Sequence, residues 1–210
     1  MRVQSKDILD GWRLTGIVTL ALAALSIWLA SMRGFETDGV RLVIRFTART
    51  SLLFFCLAFS ASALYRLWPT APTRWQLRNR RYLGLSFAAS HLLHAIAIGC
   101  FAVMAPDEFK AATSPASFIF GGIGYSFIVA MAATSFDRTT KAIGPRAWRI
   151  LHTTGIYYLW FQFMVSFGMR IPDMPNYAWF LLPLVLVMGF RIVAALHARK
   201  AKLSTATLQR

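Results

Sequence analysis

Long apolar runs separated by short polar stretches dominate this chain. A helix needs about 20 mostly apolar residues to cross a bilayer. Six runs reach that length, at residues 12–32, 46–67, 82–104, 115–135, 149–169 and 177–196. The connections between them are too short to hold a folded soluble unit. The pattern predicts an all-α integral membrane protein, a six-transmembrane-helix bundle over residues 12–196. Residues 1–11 form a short leading segment, and residues 197–210 a basic tail whose composition predicts no fixed structure. The first run lacks a short apolar core followed by a small-residue cleavage site, so it is expected to be a retained helix.

Composition supports this class and adds orientation. The chain is 57% hydrophobic and only 15% charged, too apolar for an ordinary soluble domain of 210 residues. Of its 23 Lys and Arg, all but Arg33, Arg41, Arg45, Arg49, Lys110 and Arg170 fall on one face if the spans alternate. The positive-inside rule then puts both termini in the cytoplasm. The net charge of +15 reflects topology and contact with anionic lipid headgroups. No soluble basic module exists to bind nucleic acid. Neither a dinucleotide-binding glycine fingerprint nor a P-loop is present. Cys56 and Cys100 both sit in apolar runs, where packing is the expected role, and no CxxC spacing occurs.

The chemistry is carried by histidine. His197 falls at the cytoplasmic end of the last run, at headgroup level. The third run contains His91 and His94 in "SHLLHAIAIGC", and the fifth contains His152 in "RAWRILHTTGIYYLWFQF". An ionisable group inside a span is a functional candidate by default. Zinc asks for three or four ligands, and a proton relay usually recruits carboxylates, yet the six runs hold no acidic residue. Haem iron asks for one or two axial ligands, commonly imidazole. The alternative is a set of neutral histidines satisfied by hydrogen bonds between helices. Small neighbours leave room for a ring: Ala88, Ala89, Ser90 and Ala95 near His94, and Thr153, Thr154 and Gly155 near His152.

Two lines of counting disagree on the third-run ligand. Depth from the helix starts brings His91 nearer the level of His152, whereas spacing from Arg80 and Arg81 favours His94. Around the helix axis both histidines share a face. Arg41, Arg45 and Arg49 form a stripe that either snorkels to the far interface or meets a haem propionate, a quinone head or an acidic partner. Arg80, Arg81 and Arg149 are topogenic, and also candidates to pair propionates. Tyr157, Tyr158, Trp160 and Phe161 read as packing or lipid surface.

The stretch "RRYLGLSFAASHLLH" resembles the third-span signature of the ferric-reductase-like transmembrane family, especially its MsrQ (YedZ) branch. That branch is the haem-binding membrane subunit of a bacterial methionine sulfoxide reductase system. "TSFDRTTKAIGPRAWRILH" resembles the same branch's approach to the fifth span, and "TARTSLL" more loosely the opening of an earlier one. The similarity covers roughly residues 42–195. It implies His94 and His152 as axial ligands, with His91, Arg81, Arg149 and Arg49 as further candidates at the cofactor. One position departs from the pattern: the branch carries a histidine thirteen residues after the fifth-span ligand, where this chain has Val165. The expectation is therefore one haem b between His94 and His152, low-spin, with quinone or FMN as possible additional cofactors. The resemblance further implies electron transfer in a bacterial inner membrane, from quinol or a cytosolic flavin reductase to a periplasmic oxidoreductase or a ferric acceptor. A non-redox membrane scaffold or small-solute permease built on the same fold is the alternative.

Overall fold

The computed structural model describes residues 9–208, and among these every regular element is helical. The order is α1 (Trp12–Ser31), α2 (Thr37–Leu67), α3 (Ala71–Arg78), α4 (Arg80–Met104), α5 (Pro106–Ala112), α6 (Pro115–Ala133), α7 (Asp137–Gly168) and α8 (Ala178–Leu208), with a 3-10 turn at Pro175–Tyr177 before α8. Helices α1, α2, α4, α6 and α8 are long and apolar enough to cross a membrane. The part of α7 after Pro145 has the length but less apolarity, because Thr153, Thr154, Tyr157, Tyr158 and Gln162 interrupt it.

Three differences from the sequence expectation have local causes. Helix α2 starts at Thr37, nine residues before the apolar run, because Arg41 and Arg45 lower hydropathy without breaking helix. Two short helices, α3 and α5, occupy polar connections. The first opens on a capping box in which the Thr70 and Thr73 side chains each take a backbone N–H of the other. The basic tail continues α8 as helix to Leu208, while the expectation for residues 1–8 and 209–210 lies outside the described residues.

Helix α2 is the centre of the bundle, packed against α4 and α8. Its seam with α4 is a line of hydroxyls. Ser51 donates to the Ser90 hydroxyl at 3.0 Å, Thr50 and Ser90 share a bond of 2.8 Å, and Ser90 donates to the Thr47 carbonyl at 3.2 Å. Thr47, Ser51 and Ser90 are fully buried. Inside lipid, apolar surface gives little preference for helix over hydrocarbon, so small residues and interhelical hydrogen bonds carry association. Below this seam lies an apolar core of Phe55, Phe59, Phe87, Leu159, Phe163 and Phe167 drawn from α2, α4 and α7.

Helices α6 and α7 form a second pair. Gly155 permits their close approach, since a Cβ there would stand 2.7 Å from the Met131 sulfur and 3.1 Å from Phe127. Helix α7 bends at Gly144, whose φ of 76° is in the left-handed region, followed by Pro145. The bend separates a charged entry segment from the half that carries His152. Helix α1 is peripheral, pinned to the Arg-rich end by an Asp10–Arg78 ion pair of 2.9 Å and by Asn79, which bonds Asp10 and the Gly11 N–H.

Candidate functional site

The histidines fall into two groups. In the first, on α4, His94 Nδ1 lies 3.1 Å from the Ile44 carbonyl and 3.0 Å from the Thr47 hydroxyl. A carbonyl only accepts, and the Thr47 hydroxyl spends its own proton on the Val43 carbonyl at 2.7 Å. These partners assign the proton to Nδ1 and leave the lone pair on Nε2. His91, one turn nearer the Arg-rich end, has its ring 5.3 Å from that of His94 and 5.1 Å from that of Tyr125. Both His91 Nδ1 and the Tyr125 hydroxyl are buried without a hydrogen-bond partner.

The second group is His152, on α7. Its Nε2 lies 3.1 Å from the Thr134 hydroxyl, and its ring stacks on Trp148 with centroids 4.3 Å apart. Thr134 donates to the Ala130 carbonyl at 2.7 Å, so it accepts from the imidazole. His152 lines a cavity of about 460 Å³ at the Arg-rich end, a volume in the range of cofactor sites. One wall comes from α6 and α7, with Met131, Ala132, Trp148, His152 and Leu159. The other comes from α2 and α4, with Phe55, Ala58, Phe59, Gly84, Phe87 and Ala88. Arg80, Arg81 and Arg191 also line it, as do the polar side chains of Arg78, Ser135, Asp137 and Thr140.

The guanidinium groups are incompletely paired. Arg81 reaches Asp137 at 2.7 Å, and Arg191 donates to the Phe59 carbonyl at 2.9 Å and to the Tyr157 hydroxyl at 3.2 Å. In both, the Nε–H is buried without a partner. A buried donor left unpaired costs about 1–3 kcal/mol, so an anionic group entering the cavity would recover part of that penalty.

Not all the sequence candidates meet here. Arg81 and His152 line the cavity; Arg149 is exposed and takes no part in it. Arg49 lies over the Phe180 ring at 5.2 Å, and Arg41, in the same stripe, pairs with Glu108 at 2.9 Å. His94 and His152 are not brought together. His91 packs against Phe163, ring to ring at 6.1 Å, and Phe163 is three turns beyond His152 on α7, roughly 16 Å by the helical rise. His94 stands about 4.5 Å farther out still. Arg191 was missed as a site residue. The available signal was a lone cation inside the apolar run "LVMGFRIVAAL".

Among the described residues no three His, Cys, Asp or Glu side chains converge, so a metal held by three or more such side chains has no ready site there. The features fit a flat, apolar, anionic group: aromatic walls, small residues at Ala58, Gly84, Ala88 and Ala132, one imidazole and unsatisfied guanidinium donors. Ligation through His152 Nε2 would require it to release Thr134, which keeps its bond to Ala130.

The molecule is thus a multi-pass helical membrane protein with an imidazole and an arginine cluster at one end of the bundle. The profile described as ferric reductase like transmembrane component matches residues 46–164, more than half of the chain, and the chain belongs to that family. No curated protein and no solved structure gives a significant match.

Proposed function

We propose that this protein is a haem b-binding electron-transfer component of a bacterial inner membrane, of the MsrQ type within its family, with both termini cytoplasmic and α7 as the sixth span. The observation that carries the reading is the cavity, where His152 stands beside the unpaired donors of Arg81 and Arg191 against aromatic walls. Haem bound there would supply one-electron chemistry. His152 would hold the iron, Arg80, Arg81 and Arg191 would pair the propionates, and Phe55, Phe59 and Phe87 would exclude water and keep the dielectric low. Quinol or a cytosolic flavin reductase would donate at the Arg-rich end, which this reading puts on the cytoplasmic side. A periplasmic oxidoreductase or a ferric chelate would accept.

A second reading rests on the hydrogen bonds of His94 and His152, which already satisfy one nitrogen of each ring. On it the protein is a membrane scaffold or small-solute permease. Purification from haem-replete cells separates the two. A Soret band, with a b-type pyridine haemochrome near one equivalent per chain, is expected. A colourless protein that takes up no added haem would overturn the redox reading and favour the scaffold.

A further inference from the structure

We propose, resting on the haem reading above, that Asp137 is a placeholder for an acid group of the bound ligand. It neutralises Arg81 while the cavity is empty and is displaced when a ligand carboxylate arrives. Asp137 lines the cavity with Ser135 and Thr140, where α6 connects to α7. One of its oxygens takes a single Arg81 nitrogen, Nη1, at 2.7 Å, and its side chain is 84% exposed. Exposed ion pairs hold weakly, so water readily replaces the guanidinium around this carboxylate. The other carboxylate at this end is built differently. Asp10 accepts from Arg78 with both oxygens, at 3.1 and 2.9 Å, and from the Asn79 amide at 2.6 Å, with a side chain only 21% exposed. Asp10 is a fixed strut, whereas Asp137 is exchangeable.

The surroundings let the ion pair open without loss of either side. Arg81 keeps its place, because its guanidinium lies 5.7 Å from the Trp12 ring and 5.7 Å from the Tyr82 ring. Its buried Nε–H also still lacks a partner. The connection keeps its shape, because Thr139 and Thr140 donate to the Ala133 and Thr134 carbonyls at 2.6 and 2.7 Å. Phe136, beside Asp137, stacks on Trp12 at 5.5 Å. Ser135 spends its proton on the Met131 carbonyl at 2.7 Å, so neither it nor Thr140 has a proton left for an anion. The donors to a ligand acid are therefore the guanidinium groups. An acid drawn towards Arg81 from the cavity meets a cation already compensated. Two carboxylates on one guanidinium repel each other, and the exposed one is the easier to release. A small free anion gains little at such a site, whereas a ligand that also packs on the aromatic walls can take Arg81 over.

The experiment titrates haem, and separately its dimethyl ester, into the full-length apoprotein in nanodiscs. Asp137→Asn is expected to tighten haem binding by about two- to fivefold, the range an exposed ion pair represents. The ester, which has no carboxylate, should bind wild type and variant alike. In an Arg81→Gln background the same substitution should change neither ligand. Asp10→Asn should leave the ratio of acid to ester affinity at its wild-type value, because Asp10 is committed to Arg78 and Asn79. A role for Asp137 only in stabilising the start of α7 would move acid and ester together, and would not depend on Arg81. Unchanged or weaker haem binding by Asp137→Asn, an equal change for haem and ester, or a gain that persists without Arg81 would overturn the inference and leave the haem reading intact. A wild-type protein that takes up no haem would overturn both.

Discussion

Arg191→Met offers a demanding test of the cavity, because the structure lets stability and ligand binding be separated. The side chain makes a charged hydrogen bond to the Phe59 carbonyl, another to the Tyr157 hydroxyl, and lies over the Phe59 ring at 4.4 Å. Against these stands a buried Nε–H with no acceptor. Hydrogen bonds to a charged group are worth about 1.5–3 kcal/mol net, and the ring contact about 0.5–2 kcal/mol. Desolvation of a cation in a low-dielectric interior opposes both, and apolar replacement of buried charge is often close to neutral. The ligand-free variant should therefore melt close to the wild type. Binding of an anionic porphyrin should suffer more. Loss of one charge-assisted hydrogen bond, about 1.5–3 kcal/mol, corresponds to about 10- to 150-fold in affinity at 1.4 kcal/mol per decade. Titration of haem into apoprotein, followed by quenching of tryptophan emission, measures this, since Trp148 lines the same cavity. Arg191→Lys keeps the charge but not the planar fork, and should fall between the two. The dimethyl ester of haem, which has no carboxylate, should bind variant and wild type alike. Equal loss for acid and ester, or no loss for either, would refute the reasoning.

Other expectations concern the frame around the cavity. Ser90→Ala leaves the fully buried Ser51 hydroxyl without its acceptor and should lower stability by about 1–2 kcal/mol in detergent melts; Ser126→Ala, which removes only a bond to its own helix at Gly122, should cost far less. The Asn79 amide and then Arg78 hold the Asp10 carboxyl below its ordinary range. Because its folded-state value is the lower one, the stabilisation is complete above the ordinary carboxylate range and is lost as pH falls through the depressed value. A melting series from neutral to acid pH should therefore show a steeper acid limb for the wild type than for Asp10→Asn.

Much of the architecture was legible because its cause is local. Apolar runs of bilayer length became α1, α4 and α6 with ends shifted by a few residues, and α8, which runs on through the basic tail to Leu208. Helix α2 was cut short on paper because hydropathy measures solvent preference rather than helicity, and Arg41 remains helical while pairing with Glu108 and lying over Phe101. The histidines were found by type, since an imidazole in an apolar run is conspicuous. Their partners were not, because partnership depends on the relative level of two helices, which no local pattern records. Arg191 escaped for a related reason. At the edge of a basic tail it read as one more topogenic charge, and only the approach of α8 to α2 turned it inward onto Phe59.

The hydroxyl seam between α2 and α4 acts as a register key for the whole bundle. Apolar helices in lipid can slide past each other with little change in contact area, and nothing in a run of Leu and Ala resists it. A slip of one helical turn, about 5.4 Å, would leave Ser51, Thr50 and Ser90 facing hydrocarbon side chains, each mismatch costing up to about 1.7 kcal/mol. The Thr47 and Ile44 bonds to His94 would break in the same step. The depth of the α4 imidazoles is thus set by four small polar side chains on two helices, and hydroxyl chemistry sets the vertical scale of the molecule.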